Sequence, residues 1–432
     1  MATATYSVLT GATDLNTVWR KVQAGVLQAF KFDYEEWGWL NKLKNFDVDW
    51  SSREITFEAD LDDDINTAMI AEGGKEARPS SQKPSTCTVT WVQANKRFTI
   101  SKTSRYIEQQ QGVRGQLISQ FKYQTKKAVQ GIRRKIADQF YGFSTGTVAK
   151  VSAVSTDDIT IKDLYGVSGL GSLTGGPGAG ISNRAATDVF RAGDFIAVLN
   201  PSGPALRTGG IVEIDTVTRA TNILTGADVS GISGPADDDL IVFANNVENT
   251  TLAGGTERNQ NLVGLEDMLT SASIHSLSSA TNGRWDAALN NSSGGRFDGV
   301  KLRKLKQAIS NKGGGMLDTV IWSQGVENDV FAQLQAGLRF SDSFSMEMDG
   351  KPVSKGITFH TSLRVPDGYV FGYDSKNSVK KMVLLPEPGT LAWDDGDKLQ
   401  DDNGYVFGMD YPCAMVVVNR GNLGAYSGIT QQ

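Results

Sequence analysis

The residue types that most often do chemistry in proteins are scarce in this chain. It has only two histidines, His275 and His360, and neither has a second histidine or cysteine at metal-ligand spacing. The two cysteines, Cys87 and Cys413, lie far apart and indicate neither a zinc site nor a disulfide framework. We therefore expect no metal site and no cofactor, and both histidines are predicted to be ordinary surface or sheet residues.

One segment matches the motif of a serine nucleophile. In Gly142–Gly146, GFSTG, Ser144 stands where the nucleophile would be. That motif requires a strand before it and a helix after it, whereas here it follows a predicted helix. A helix stop is the preferred interpretation, and a serine hydrolase is the remote alternative. The two Gly-Lys dipeptides continue with Glu76 and Pro352, which excludes a phosphate-binding loop.

Two acidic clusters could attract calcium. They are Asp237–Asp239 and the aspartates between 394 and 402. Their spacing fits no EF-hand loop, so solvated turns are the preferred interpretation. With no catalytic residue in a suitable context, the sequence predicts a protein that is not an enzyme.

Bulk composition limits the class of protein. A chain of 432 residues predicts two or three packing units, and 39% hydrophobic with 21% charged residues is typical of a soluble globular protein. No apolar run approaches the ~20 residues of a membrane span, so no membrane partner is expected. The first residues lack the cationic start and apolar block of a signal peptide, which predicts that the protein is not secreted.

The strongest periodic pattern predicts a long helix over 113–141. Apolar or small residues recur there every three or four positions. The other faces carry seven cations against Asp138, a net charge of +6. Two interpretations stay open: a core-facing helix with a solvated basic side, or a basic side that faces a polyanion. The stripe consists of Ile118, Phe121, Thr125, Val129, Ile132, Ile136 and Phe140.

Strict alternation of apolar and polar residues predicts a long β-hairpin upstream of this helix. Residues 53–61 and 85–101 alternate, and the polar, charged segment 62–84 lies between them. A two-stranded arm of this kind is marginally stable alone. The pattern therefore predicts that the hairpin rests on another surface.

A different pattern follows the helix. Short alternating runs separated by turn residues predict a small all-β insertion over 147–246, a barrel or a sandwich. The remainder reads as α+β, with helices at 261–269, 298–311 and 324–336, a strand at 319–322, strands near 356–361, 368–373, 379–385 and 413–419, and a loop over 271–295.

The order of these parts resembles that of the major capsid proteins of tailed bacteriophages, the Hong Kong ninety-seven-type fold that encapsulin shells share. Three segments are similar to parts of that family: NLVGLEDML (261–269), LDTVIWSQGVENDVFAQL (317–334) and VPDGYVFGYD (365–374). The resemblance implies an α+β fold with an inserted small β domain. The parts would be an N-terminal arm (1–50), an extended hairpin called the E-loop (51–102), the spine helix of the P-domain (103–146), the inserted domain (147–246), a P-domain return (247–297), an A-domain (298–410) and a C-terminal strand and tail (411–432).

The resemblance also implies a function. Many copies would assemble as hexamers and pentamers into an icosahedral shell, in the host cytoplasm, around the double-stranded DNA of a phage. Portal, scaffold and decoration proteins are further implied partners, and the virion capsid is the implied location. The alternatives are an encapsulin-like compartment and a DNA-binding protein that uses the basic helix.

Two sets of site residues follow from this interpretation. The predicted inter-subunit contacts on the hairpin are Ile55, Phe57, Glu72, Lys75, Arg78 and Trp91. The predicted basic face toward the shell interior consists of Lys122, Lys126, Lys127, Arg133, Arg134 and Lys135.

Overall fold

The structure, a computed structural model, describes the residues given in the next sentence. They are residue 43, 54–59, 85–101, 124–125, 127–132, 136–137, 139–142, 146–155, 157–166, 185–201, 206–226, 229, 232, 236–244, 262–292, 294–337, 345–346, 352–354, 356–362, 364–383, 392–398 and 404–429. These residues fall into two compact units. One comprises the described residues within 92–137 and 382–414, and the other those within 43–91, 138–381 and 415–432.

The described residues combine strands with a few helices, so the α+β class is confirmed. The helices are α1 Leu265–Thr270, α2 Gly299–Gly313 and α3 Gln324–Gly337. The strands are β1 Glu54–Ala59, β2 Ser85–Thr90, β3 Val92–Ser101, β4 Thr147–Val154, β5 Asp158–Lys162, β6 Phe195–Leu199, β7 Leu206–Thr218, β8 Ile223–Gly226, β9 Leu240–Phe243, β10 Ser273–Ile274, β11 Leu277–Ser278, β12 Leu289–Asn291, β13 Thr319–Trp322, β14 Ser345–Met346, β15 Pro352–Val353, β16 Thr358–Thr361, β17 Val370–Tyr373, β18 Val379–Val383, β19 Ala392–Lys398, β20 Gly404–Val417 and β21 Leu423–Tyr426.

Within the predicted long helix, every position described between 124 and 140 is helical. The members of the apolar stripe at these positions are buried, as the helical period predicts. Ile118 and Phe121 lie outside the described residues. The buried members are Thr125, Val129, Ile132, Ile136 and Phe140.

The predicted insertion contains a closed barrel with the strand order β4-β5-β8-β7-β6-β9. Closure pairs every strand on both sides, so the barrel has no free edge. Its interior is filled by aliphatic and aromatic side chains, including Val151, Ile159, Tyr165, Ile196 and Ile241. The inserted small β domain is therefore confirmed, while its boundaries at 147 and 246 stay a prediction.

The second unit contains a five-stranded mixed sheet with the strand order β12-β21-β17-β13-β16, on which helix α2 packs. Helix α2 begins where the Asp298 carboxylate accepts a hydrogen bond from the Lys301 amide at 2.8 Å, and it ends at Gly314, which has φ 68°. The helix packs on the sheet through Leu302, Leu305 and Ile309. Gly372 in β17 makes room for it, because a Cβ there would lie 2.7 Å from the side chain of Leu305.

The described strands of the first unit are β3, β19 and the greater part of β20. Strands β3 and β19 both pair antiparallel with β20. The antiparallel ladder between β3 and β20 runs from Ser101 opposite Gly404 to Val92 opposite Cys413. The second arm of the predicted hairpin, 85–101, therefore consists of two strands. Strand β2 pairs with β1, whereas β3 belongs to another sheet.

Three other predictions from the sequence are corrected. Residues 271–295, predicted as a loop, contain β10, β11 and β12. Asp394, Asp395 and Asp397, predicted in solvated turns, lie in β19, which pairs with β20 around a register shift. The final long strand begins at Gly404, nine residues before the predicted start. Strand β12 is fixed by its distant parallel partner β21, and β19 by its ladder with β20, which local composition does not reveal. Strands β10 and β11 pair with each other but have two residues each, too few for a periodic pattern.

Candidate functional site

The base of the predicted hairpin is the feature that the structure describes most fully among the candidate sites. Strands β1 and β2 pair antiparallel over six residues, from Glu54 opposite Thr90 to Ala59 opposite Ser85. The 25 residues 60–84 therefore leave and return at one point on the molecule. Whatever that segment does, this ladder holds its two ends together.

One face of the ladder is covered by the chain's own β10–β11 hairpin. Ala59 and Cys87 are buried in a cluster with Leu277 and Trp285, and Phe57 packs against it. The Trp285 indole is fully buried and donates a hydrogen bond from Nε1 to the Ile274 carbonyl at 3.2 Å. We refer to residues 271–291 as the platform. The hairpin base thus rests on its own chain.

His275 connects the platform to two other elements. It lies with Ser276 in the two-residue turn between β10 and β11, and both residues have positive φ, 52° and 66°. This is the geometry of a type I′ turn, which matches the twist of a hairpin. The His275 carbonyl accepts a hydrogen bond from the Thr88 amide at 2.9 Å, and its Nε2 accepts one from the Val417 amide at 3.0 Å.

The protonation state of His275 follows from this environment. Burial lowers the pKa of the imidazole to about 4, so the ring is neutral near pH 7 and Nε2 is free to accept. The ring of Phe57 meets it edge-on, with centroids 6.3 Å apart. His275 is therefore a buried structural contact, and the prediction of an ordinary surface or sheet residue is wrong for it. His360 lies in β16, as predicted.

Arg420 connects the platform to the end of helix α1. The side chain is buried, and its guanidinium donates to the carbonyls of Met268 at 2.6 Å, Leu269 at 3.0 Å and Ser271 at 2.6 Å. A fourth contact reaches the Trp285 carbonyl at 3.4 Å. A cation at the end of α1 is favourable because the last carbonyls of a helix are unsatisfied and carry partial negative charge. Burial lowers the pKa of this guanidinium, which is still charged near pH 7.

The structure describes three of the six predicted contact residues of the hairpin. Ile55 lies in β1 opposite Val89, and Phe57 packs on the platform cluster. Trp91 follows β2 and is half-buried, and its Nε1 is buried with no hydrogen-bond partner among the described residues. Glu72, Lys75 and Arg78 lie outside the described residues, so a contact with a neighbouring copy stays a prediction.

The predicted basic face is described only at Lys127, which is helical and exposed. The other five residues lie outside the described residues: Lys122, Lys126, Arg133, Arg134 and Lys135. Their orientation stays a prediction.

The titratable groups in the described part of the chain suit packing better than catalysis. Burial raises the pKa of the Cys87 thiol to about 11 and that of Cys413 to about 12, so neither is a thiolate at neutral pH. Burial also raises the pKa of Glu266 to about 7, and the Tyr369 hydroxyl lies 3.5 Å from its Oε1. Ser144 lies outside the described residues. The described part of the chain contains no group of three or more candidate metal ligands.

Sequence reasoning missed Trp285, His275 and Arg420 as the residues that position the hairpin. Only Arg420 carried a signal, because it is a lone charge between two apolar runs, 413–418 and 423–426. Among the helices in the described ranges, none is long and apolar enough to cross a membrane.

Comparison with known proteins gives structural neighbours only. No protein-family model and no curated protein matches the chain. The capsid asymmetric unit of cyanophage A-1(L) is similar at 12% identity and a TM-score of 0.47, with 91% of this chain and 93% of that chain covered. A structure from Mycobacterium phage Patience is similar at 9% identity and a TM-score of 0.41, covering 97% and 89%. The encapsulin SrpI of Synechococcus elongatus is similar at 11% identity and a TM-score of 0.27, covering 39% and 57%. The function of this chain has therefore to be inferred from its own geometry.

Proposed function

We propose that this chain is a structural subunit, not an enzyme, and that many copies assemble into an icosahedral shell around the double-stranded DNA of a tailed phage. The observation that carries the proposal is the anchored hairpin base. It holds both ends of a 25-residue segment at Ala59 and Ser85. The platform, His275 and Arg420 fix that base within the chain.

The length and composition of the segment support a role between copies. Half of 25 residues could reach up to ~40 Å from the base if fully extended. The stretch 62–84 is polar and charged, with few apolar residues for a core of its own. A two-stranded arm of that kind is stable only against a partner surface. A standard interface buries about 800 Å² per partner, which an arm of this length could largely supply.

The first test is electron microscopy of the full-length chain, which should show closed shells. The second replaces 62–84 by a four-residue turn. Because the hairpin base is anchored in its own chain, the shortened subunit should stay soluble and melt cooperatively, yet form no stable shells. Normal shells of unchanged stability would overturn the role of the arm.

A matched deletion controls for the loss of chain length. Removing 171–180 from the glycine-rich segment of the insertion should leave shell formation unchanged, because that segment has the composition of a flexible surface loop. If both deletions abolish shells equally, the effect is not specific to the hairpin arm.

We also propose that the basic face of the long helix is turned toward the shell interior. Six net positive charges on 113–141 would repel neighbouring copies unless a polyanion lies close to them. Replacing Lys122 and Lys126 by glutamate should therefore lower the amount of DNA that shells retain, without preventing assembly. Unchanged DNA content would favour the other interpretation, a solvated basic side.

The contents of purified shells separate this proposal from a protein compartment. Phage DNA inside the shells supports it, whereas a co-purifying protein cargo would indicate an encapsulin-like compartment. Portal, scaffold and decoration proteins are proposed further partners. Ser144→Ala should leave the ester-hydrolysis background of the protein unchanged, and a loss of activity would indicate a hydrolase.

A further inference from the structure

Helix α2 carries a second cationic surface, distinct in sequence from the basic helix. It contains Lys301, Arg303, Lys304, Lys306 and Lys312 and no acidic residue, whereas the whole chain has a net charge of −5. A helix with five positive charges in an acidic protein concentrates positive potential locally. What each cation contacts decides whether the fold itself accounts for them.

Two of the five cations are used by the fold. The Lys301 ammonium donates to the carbonyls of Gly294 at 3.1 Å and Gly295 at 3.2 Å. The Lys312 ammonium pairs with the Asp286 carboxylate at 2.9 Å and donates to the Ala287 carbonyl at 3.0 Å. Both side chains are half-buried, so they serve local structure.

The other three cations, Arg303, Lys304 and Lys306, are exposed. None of them has an ion pair or a hydrogen bond to another side chain within the described ranges. Lys304 lies about 100° from Arg303 around the helix axis, and Lys306 about 60° from Arg303 in the other direction. The three cations therefore spread over the exposed side of α2, and their long side chains can reach neighbouring phosphates, which lie about 3.4 Å apart along the duplex axis on one strand.

The rest of the exposed side of α2 is uncharged and capable of hydrogen bonding. Gln307, Ser310 and Asn311 are exposed there. Arginine, lysine, serine, asparagine and glutamine are the side chains that contact phosphate oxygens in protein–DNA complexes. The cores of protein–protein interfaces are instead apolar, and lysine and serine are depleted in them. Val300, 58% exposed, is the only large exposed hydrophobic residue of α2.

We propose that the exposed side of α2, through Arg303, Lys304 and Lys306, binds the phosphate backbone of double-stranded DNA without reading its sequence. The inference rests on the proposed function, because packaged duplex DNA is the polyanion that a shell subunit meets. The opposite side of the helix is committed to the core through Leu302, Leu305 and Ile309. The DNA contact therefore requires no rearrangement of the fold.

The test compares two pairs of substitutions in the full-length chain. The test variant is Arg303→Gln with Lys304→Gln, and glutamine keeps helix propensity close to that of lysine and arginine. The control variant is Arg191→Gln with Lys376→Gln, an exposed arginine and lysine outside α2. Each variant loses the same charge, so a general electrostatic effect would appear in both.

The readout is the binding of a fluorescent 30-base-pair duplex at several salt concentrations, with dispersed subunits and with shells. Two lost phosphate contacts should lower the slope of log K against log salt by about 1.8 in the test variant. The control variant should keep the slope of the parent. Equal slopes in both variants, whether changed or unchanged, would overturn the proposal.

Shell formation, followed by electron microscopy, separates this inference from the proposed function. If the parent forms no shells but the slope still depends on Arg303 and Lys304, the DNA surface stands and the shell proposal fails. If shells form and the slope does not depend on them, only this inference fails. A test variant that assembles poorly with unchanged duplex binding would mean that α2 contacts an acidic surface of another protein, which also overturns it.

Discussion

The closed barrel and the hairpin base are both built from antiparallel strands. They differ in how their strand edges are paired and in how their apolar faces are covered. The barrel pairs all six of its strands in a ring and fills the interior with its own side chains. The hairpin base has two strands, and one of its faces is covered only because Leu277 and Trp285 lie against it. A closed ring needs nothing outside itself, whereas a two-stranded sheet needs a support.

This difference indicates which region can carry an inter-subunit contact. The barrel has a complete interior core of its own, so a contact with a neighbour adds less to its stability than to that of the hairpin. The hairpin is held at its base by the platform, a distant part of the chain, and the platform is itself bonded through His275 to the amide of Val417. Its stability and its geometry are therefore coupled to the rest of the chain.

The largest expected effect is the contrast between the two regions as isolated fragments. Residues 146–245, which contain the barrel, should fold alone and melt cooperatively, because core and ladders are complete within them. Residues 51–91 alone should show no cooperative transition, because the platform is missing. Circular dichroism with thermal melting checks both fragments. A barrel fragment without a cooperative transition would show that the insertion depends on the rest of the chain.

Removing the support should loosen the hairpin and spare the barrel. Trp285→Ala deletes a fully buried side chain and should cost about 3–5 kcal/mol, typical of a large aromatic in a core. Amides of β1 and β2 should exchange faster with solvent, while those of β6 and β9 keep their protection. Ile159→Ala in the barrel interior is the matched control, with a cost of about 2–5 kcal/mol and the opposite pattern of exchange. Equal acceleration in both regions would show that they unfold as one unit.

Lowering the pH should destabilise the hairpin base more than the barrel. Burial lowers the pKa of His275 from 6.5 to about 4, so the folded protein favours the neutral imidazole. Stability from this group is intact above pH 6.5 and is lost as the pH falls toward 4, by about 2 kcal/mol at pH 5. The barrel contains no histidine, since the chain has only His275 and His360.

The variant His275→Asn isolates this contribution, because asparagine tolerates the positive φ of the turn. The parent is expected to be the more stable protein at pH 7.5, and its advantage should shrink by about 2 kcal/mol at pH 5. Chemical denaturation at the two pH values measures the difference. An advantage that does not change with pH would mean that protonation of His275 is not coupled to folding.

Sequence patterns predicted the elements that have strong local signals. Helix α2 was bounded by Asp298 at its start and by the glycines after it, because capping is a property of neighbouring residues. The all-β insertion, which is a barrel, followed from alternation and turn residues. The buried stripe at Val129, Ile132 and Ile136 followed from the helical period.

The candidate site was less predictable because long-range contacts create it. Arg420 donates to carbonyls 135 to 152 residues away, and the sequence around it does not indicate those partners. Strands β10 and β11 have two residues each, too few for a periodic pattern. Strand β19 contains three aspartates, which local propensity places in turns, yet its ladder with β20 makes it a strand.

The smallest expected effect concerns a single bond in the barrel wall. Thr225 in β8 lies opposite Asp158 in β5, and its Oγ1 donates to the Asp158 carboxylate at 2.7 Å. Thr225→Val keeps the shape of the side chain and removes the donor, so it should cost about 1 kcal/mol. Thr216→Val, at an exposed position of β7, is the matched control and should stay within ~0.5 kcal/mol of the parent. Because the barrel is closed, faster amide exchange should appear in β5 and β8 and not in β1 and β2. Exchange that rises in the hairpin as well would show that the two regions are energetically linked, despite the different ways in which they are built.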